Sequence, residues 1–125
     1  MEELTPEKVM QIHDFLIEKM GGEPGIRDPA TLFFIVEAIN YEPDLFRKAA
    51  HALFLANRHP FWDGQKRTAF ELADLILRES GYRFERTDRA EIMRVMIRLA
   101  AHKYPDGEEI DAIARWVKGK IVKLE

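Results

Sequence analysis

The sequence predicts an all-α protein, a single compact bundle of about six helices. Apolar residues recur at intervals of three and four along six segments, which is the spacing of one face of an α-helix. Proline, glycine and capping residues separate the segments, and the connections between them are short. The length of 125 residues is typical of one domain. We therefore expect residues 1–125 to form a single compact domain around one hydrophobic core.

The first two helices have clear start signals. Thr5 is a favourable N-cap and Pro6 suits the first helical position, and the glycines at 21–22 end the segment. Asp28 followed by Pro29 repeats this start for a second helix. The residues that share one face are Val9, Ile12, His13, Leu16 and Met20 in the first helix and Leu32, Phe33, Val36 and Ile39 in the second.

The third and fourth helices flank a conspicuous loop. Pro43 and Asp44 open the third helix, whose many alanines and other apolar residues are typical of a central helix. Its pattern ends at Arg58, and a new helical pattern runs from Gln65 towards Gly81.

The remaining chain predicts one short extended piece, residues 82–85, and two further helices. Asp88 with Glu91 and Asp106 with Glu109 have the spacing of capping boxes, so each pair marks a helix start. The apolar face of the last helix is predicted to comprise Ile110, Ile113, Ala114, Val117 and Ile121.

The composition excludes several classes of function. The 19 basic and 22 acidic residues give a net charge of −3, which disfavours direct nucleic-acid binding. The chain has no cysteine, so disulfides, thiolate metal sites and a cysteine nucleophile are excluded. No apolar run reaches the roughly 18 residues of a membrane span, and the N-terminus has no signal-peptide pattern. We therefore expect a cytoplasmic protein with no membrane contact.

The start of the fourth helix breaks the charge pattern of the other helices. Asp28, Asp88 and Asp106 lie at helix starts, where the helix dipole favours acids, whereas Lys66 and Arg67 lie in the first turn of the fourth helix. Each cation costs about 0.3–1 kcal/mol there. A bound phosphate would reverse the sign, because it would receive backbone N–H groups and two cations together. A turn with incidental charges is the plain alternative.

The residues before this helix supply the other groups that phosphoryl or nucleotidyl transfer requires. Pro60 disfavours helical geometry at His59, which places an imidazole at the edge of the loop as a candidate base. Asp63 offers a hard oxygen ligand suited to Mg²⁺ shared with phosphate. Gly64 allows a tight turn, and Phe61 is expected to anchor the loop in the core.

The segment HPFWDGQKR, residues 59–67, resembles the HPFxDGN(G/K)R signature of the Fic/Doc family. The KRTA sequence at 66–69 is similar to the Doc, or death-on-curing, branch of that family. The LTPE start, the histidine–aspartate pair at 13–14 and the GGEPGIRDPA loop also resemble this branch. The resemblance implies a Fic/Doc-like catalytic domain.

The resemblance also implies roles in a reaction of ATP with Mg²⁺. His59 would be the general base that deprotonates a target hydroxyl, Asp63 would hold Mg²⁺ and Phe61 would anchor the loop. Lys66 and Arg67 would act both in catalysis and in phosphate binding. The residues implied in nucleotide and phosphate binding are Gly64, Gln65, Lys66 and Arg67.

In the Doc branch, a lysine at position 66 is thought to crowd one phosphate pocket, so that ATP binds reversed. The resemblance therefore implies transfer of the γ-phosphoryl group to a threonine or serine of a protein, with translation elongation factor Tu as the target and inhibited translation as the result. It also implies a toxin whose antitoxin supplies an inhibitory helix. Because relatives with glycine at this position transfer AMP, a Fic-type adenylyltransferase is the first alternative.

Three departures and alternatives remain open. Gln65 stands where the family has asparagine, so its amide could make the same phosphate contact or miss it, and a degenerate partner-binding protein is the second alternative. Thr87 and Glu91 have the spacing of a self-inhibitory motif, but Ile92 follows, so we interpret them as a helix cap. A metal-dependent HD phosphohydrolase is disfavoured because no histidine precedes His13.

Several other polar residues are expected to be structural. His13, His51 and His102 lie on helical segments, where packing or exposure is the commoner role. Arg27 could reach the cleft, but pairing with an acid is the favoured interpretation. Trp62 is expected to pack or to be partly exposed.

Overall fold

The computed structural model describes residues 3–85, 89–101 and 108–124, and within them it confirms the all-α fold. A small antiparallel sheet of two strands, in which Tyr82 pairs with Lys123, is the addition to the helices. The elements in chain order are α1 (Pro6–Met20), α2 (Pro29–Tyr41), α3 (Leu45–Arg58), α4 (Gln65–Glu79), β1 (Tyr82–Phe84), α5 (Arg89–Ala101), α6 (Glu108–Lys118) and β2 (Ile121–Lys123).

Side-chain caps begin the first three helices at the predicted positions. In each case an oxygen of the cap accepts a hydrogen bond from the backbone N–H three residues later, which satisfies one of the N–H groups left unpaired at a helix start. The three caps are Thr5, Asp28 and Asp44. The predicted caps Asp88 and Asp106 lie outside the described residues.

Two details of the predicted helix faces are wrong. Phe33 is 53% exposed and Ile35 is buried in its place, because Ile35 lies closer than Phe33 to the centre of the face formed by Leu32, Val36 and Ile39. Met20 is also exposed, since it lies in the last turn of α1 before the helix ends.

The C-terminal end differs from the prediction as well. Helix α6 ends at Lys118, and Ile121, which the periodicity places on the apolar face of that helix, lies in β2. Gly119 follows the last helical residue, and glycine is a weak helix former. The β-branched residues that come next pair with β1, where such side chains are favoured.

Helix α3 is the centre of the fold, as its composition predicts. It packs against α2, α4, α5 and α6. Its alanines keep the backbone close to these neighbours, and the residues that it buries are Ala49, Ala50, Ala52, Leu53, Phe54, Leu55 and Ala56. Because α3 is held on several sides, its C-terminal end is a firm base for the loop that follows.

Within the described ranges, no helix has the length and apolar character needed to cross a membrane.

Candidate functional site

The loop between α3 and α4 is bounded by two residues in the left-handed backbone conformation. His59 has φ 53° and ψ 56°, and Gly64 has φ 75° and ψ 18°. Pro60 follows His59, and the departure from helical geometry at this histidine agrees with the sequence-based expectation. For a residue other than glycine, the left-handed conformation costs about 1–2 kcal/mol, so neighbouring contacts must hold His59 in place.

Arg27 supplies such a contact from the loop between α1 and α2. Its Nε and Nη2 atoms both donate to the carbonyl oxygen of His59, at 3.0 and 2.8 Å. The backbone N–H groups of Arg27 and Asp28 donate to the carbonyl of Pro60, at 2.8 and 3.0 Å. Arg27 therefore has the structural role that the sequence favours, although its partner is a carbonyl oxygen and not an acid.

The same α1–α2 loop also runs beside the loop between α3 and α4. Ile26 and Phe61 form an isolated antiparallel bridge, and the Trp62 N–H donates to the carbonyl of Gly25 at 3.4 Å. The Trp62 side chain is exposed, with its indole ring beside Gly25. Residues 25–28 thus brace residues 59–62 along their backbone.

Phe61 is buried, so its ring holds the loop in the core. Gln65 binds the backbone of this residue twice: its Oε1 accepts from the Phe61 N–H at 3.2 Å and its Nε2 donates to the Phe61 carbonyl. The sequence predicts a phosphate contact for the Gln65 side chain, but the structure turns the amide inwards, and the side chain is 7% exposed.

His13 of α1 lies beneath the loop and contacts it directly. The imidazole is 1% exposed, and it stacks on the Phe61 ring with 3.8 Å between the centroids and 6° between the planes. Its Nε2 lies 2.7 Å from the carbonyl oxygen of Asp63. Sequence reasoning gives His13 a packing role and misses this hydrogen bond. The sequence feature that indicates this contact is a polar side chain on an otherwise apolar face of α1.

The carboxylate of Asp63 is exposed and is oriented by two backbone groups. Its Oδ2 accepts from the N–H of Glu23 at 3.1 Å, and its Oδ1 accepts from the N–H of Gly64 at 2.8 Å. These hydrogen bonds, with that from Glu23 first, lower the pKa of Asp63, and the charge of nearby Arg67 acts in the same direction. Asp63 is therefore ionised at neutral pH. A Cβ atom on Gly22 would lie 2.8 Å from Oδ2, so glycine is needed for this approach.

Helix α4 begins with free donors and cations at the same end. Gly64 has no side chain to cap the helix, and no other side-chain cap is found in the described chain. The N–H groups at a helix start have no acceptor within the helix. Lys66 is exposed in this first turn, and Arg67, also in the turn, donates from Nη2 to the carbonyl of Gly21 at 3.2 Å. Unpaired N–H groups and positive side chains at a helix start are the features that favour an anion.

The donor set near Asp63 fits a magnesium ion only when phosphate completes it. No cluster of three or more His, Cys, Asp or Glu side chains suited to a metal occurs among residues 3–85, 89–101 and 108–124. Mg²⁺ is commonly held by one or two carboxylates together with substrate phosphates. One exposed, ionised carboxylate beside an uncapped helix start with two cations matches that arrangement.

Comparison with known proteins agrees with this geometry. Residues 3–77, which include α1, the loop and most of α4, match the model of the Fic/DOC family. The chain belongs to the Fic/Doc family. It is also 36% identical over 88 residues to the protein kinase doc of Escherichia phage P1, in a match that covers 65% of this chain and 70% of the phage protein. Within the Fic/Doc family, this similarity supports the Doc branch.

Proposed function

We propose that this protein is a Doc-like toxin that transfers the γ-phosphoryl group of ATP to a threonine or serine hydroxyl of a protein. The observation that carries the proposal is the loop itself. Nine consecutive residues carry His59, Asp63 and the two cations at the start of α4, and their backbone is held by contacts from α1 and the α1–α2 loop. Similarity to a protein named as a kinase supports phosphoryl transfer.

In this reaction His59 accepts the proton of the target hydroxyl. The hydroxyl oxygen then forms a bond to the γ-phosphorus, and the bond from that phosphorus to the β–γ bridging oxygen breaks, so ADP leaves. Arg27 contributes by holding the His59 backbone at the edge of the loop. A fixed backbone limits the positions open to the imidazole, and a base must lie within hydrogen-bond reach of the hydroxyl.

The start of α4 binds the phosphates of ATP. The backbone N–H groups of Gln65, Lys66 and Arg67, together with the two cationic side chains, offset the charge of the transferred group. Gln65 acts through its N–H only, because its amide serves the backbone of Phe61. Asp63 would hold Mg²⁺ together with the phosphates, and the ion would supply further positive charge there when bound.

We further propose translation elongation factor Tu as the target, which requires the protein to act in the cytoplasm. The proposed antitoxin inhibits by placing a helix in an apolar cavity next to the loop. A cavity of about 410 Å³ lies between α2, α3 and α6; it is lined by Phe34, Phe54 and Ile110 and reaches Arg58, the neighbour of His59. Apolar grooves of this kind accept amphipathic helices.

The test combines the purified protein with Mg-ATP and elongation factor Tu, followed by mass spectrometry of the factor. The expected product carries one added phosphoryl group, and His59→Ala abolishes its formation. His51→Ala is the matched control, because His51 lies on α3 about two turns before the loop and should leave transfer intact. An added AMP group would replace the kinase assignment with adenylyl transfer. Absence of ATP binding in calorimetry would favour a degenerate partner-binding protein.

Lys66 is the residue that separates the two transfer reactions. If its side chain sets the direction of ATP, Lys66→Gly should lower phosphoryl transfer by at least about tenfold, as expected for loss of a phosphate contact, and should allow AMP transfer to appear. Lys66→Arg keeps the charge and bulk and serves as the control. Unchanged phosphoryl transfer by Lys66→Gly would show that Lys66 does not select the reaction.

A further inference from the structure

His13 is a buried histidine that no step of the proposed transfer uses. It lies on α1, about 50 positions before the loop in sequence, yet its ring is stacked against Phe61 and its Nε2 is 2.7 Å from the carbonyl oxygen of Asp63. Gly64 packs on the same ring, since a Cβ atom there would lie 3.5 Å from Nε2. The imidazole therefore lies against three residues of the loop.

The partner of Nε2 determines where the proton of the imidazole lies. A carbonyl oxygen accepts hydrogen bonds and has no proton to donate, so Nε2 must carry the hydrogen. The other ring nitrogen, Nδ1, is 3.8 Å from Oδ1 of Asp14, which is too long for a hydrogen bond. The hydrogen bond to Asp63 thus fixes the protonated nitrogen and the orientation of the ring.

The bond from His13 completes the restraint of one peptide unit. The carbonyl of Asp63 and the N–H of Gly64 belong to the same planar group. His13 binds the carbonyl end, and the N–H end donates to the Asp63 carboxylate at 2.8 Å. Because Gly64 has φ 75° and lacks a Cβ atom, this peptide could otherwise rotate at small cost.

We propose that His13 is a positioning residue for the transfer reaction. Its Nε2–H locks the peptide between Asp63 and Gly64, and so fixes the carboxylate that would hold Mg²⁺ relative to the first N–H groups of α4. This inference rests on the proposed function for its kinetic consequence. Displacements of about 1 Å in a reacting assembly can reduce rates by about 100-fold.

Two variants separate the hydrogen bond from the packing. His13→Phe keeps an aromatic ring to stack on Phe61 but has no donor, whereas His13→Gln keeps an N–H donor without the ring. We expect His13→Phe to lower kcat by about 10- to 100-fold, with little change in KM for the protein target, and His13→Gln to recover most of kcat. A purely structural role would lower the thermal midpoint in both variants and leave kcat per folded molecule unchanged, which would overturn the proposal.

His51→Phe is the matched control, since it replaces a partly buried histidine of α3 by the same residue. It should reduce stability without reducing kcat. If His51→Phe lowered kcat as much as His13→Phe, the loss would be general and the positioning role would be overturned.

A second measurement does not depend on catalysis. In ¹⁵N spectra of the imidazoles, His13 should be protonated at Nε2, and His13→Phe should shift the amide resonance of Gly64 while His51→Phe leaves it in place. An unprotonated Nε2 would overturn the inference. If the wild-type protein transfers neither phosphoryl nor AMP groups while these signatures are present, the proposed function fails and the locking of the peptide by His13 stands.

Discussion

The Gln65 side chain has a different task from the phosphate contact that its motif position suggests. Its amide pairs with both polar groups of the Phe61 backbone, four residues earlier, in a buried setting. A buried polar group without a partner costs about 1–3 kcal/mol, so these two contacts matter for the stability of the loop. The Gln65 side chain thus serves the backbone of the loop.

Removal of the amide should therefore destabilise the protein. In Gln65→Leu the volume is nearly kept, but the N–H and carbonyl of Phe61 lose their partner. We expect the free energy of unfolding to fall by about 2–3 kcal/mol, measured by urea denaturation.

Thr68→Val, one turn further along α4, is the control for this experiment. The Thr68 hydroxyl is buried and has no hydrogen-bond partner within the described chain. Its replacement by a methyl group of similar shape should leave stability unchanged or raise it by about 1 kcal/mol. Equal losses in the two variants would mean that the amide of Gln65 contributes nothing specific.

For individual residues, the sequence predicts the site residues that are near one another in the chain. It misses the hydrogen bonds between residues that are far apart in the chain. Asp63, Lys66 and Arg67 lie close together in the chain, so the unusual charge at a helix start is visible without coordinates. The bonds from His13 to Asp63 and from Arg27 to His59 join residues 50 and 32 positions apart. These hydrogen bonds depend on how α1 and the α1–α2 loop pack against the loop between α3 and α4. The spacing of apolar residues does not predict that packing.

Among the elements, α2 illustrates how a cap links stability to pH. The Asp28 carboxylate accepts hydrogen bonds from the hydroxyl and the N–H of Thr31, at 2.7 and 3.2 Å, and these bonds lower the pKa of Asp28. Since the pKa is lower in the folded than in the unfolded protein, the stabilisation is complete above the unfolded value. It is lost as pH falls through the lower, folded value.

Asp28→Ala should thus reduce stability at neutral pH and converge with the wild-type protein in acid. The measurement is the urea midpoint between pH 7 and about pH 3, where carboxylates titrate. Asp28→Asn keeps an oxygen acceptor without a titrating charge, so part of the cap should remain and the acid-dependent difference should disappear. A constant gap between Asp28→Ala and the wild-type protein at all pH values would contradict this account.

The starts of the first three helices are predicted correctly because a cap depends on neighbouring residues only. The end of α6 is predicted incorrectly. Periodicity extends the last helix to Ile121, but Gly119 weakens the helix and the next residues find strand partners in β1. Pairing with Phe84, across the sheet from Ile121, depends on a contact between distant segments. Tertiary pairing decides the structure where local preferences are weak.

For the whole molecule, the position of α3 explains how a short chain fixes a loop. This helix lies between α2, α4, α5 and α6, and its last residue leads directly into His59. Arg47 near its start binds Glu42 at the end of α2 and Asp111 on α6, so one side chain links three helices. The sequence predicts a central α3 from its apolar composition, but which helices surround it follows only from their packing.

The close packing around α3 leads to a last prediction. Ala52 is fully buried, so Ala52→Leu must force its neighbours apart or adopt a strained rotamer. We expect a loss of about 1–3 kcal/mol in unfolding free energy, measured by denaturation. Ala112→Leu on α6 makes the same change at an exposed position and should alter stability by no more than about 0.5 kcal/mol. If both substitutions were tolerated equally, α3 would not be tightly enclosed, and the firm base that it provides for the His59 loop would have to come from Arg27 and His13 alone.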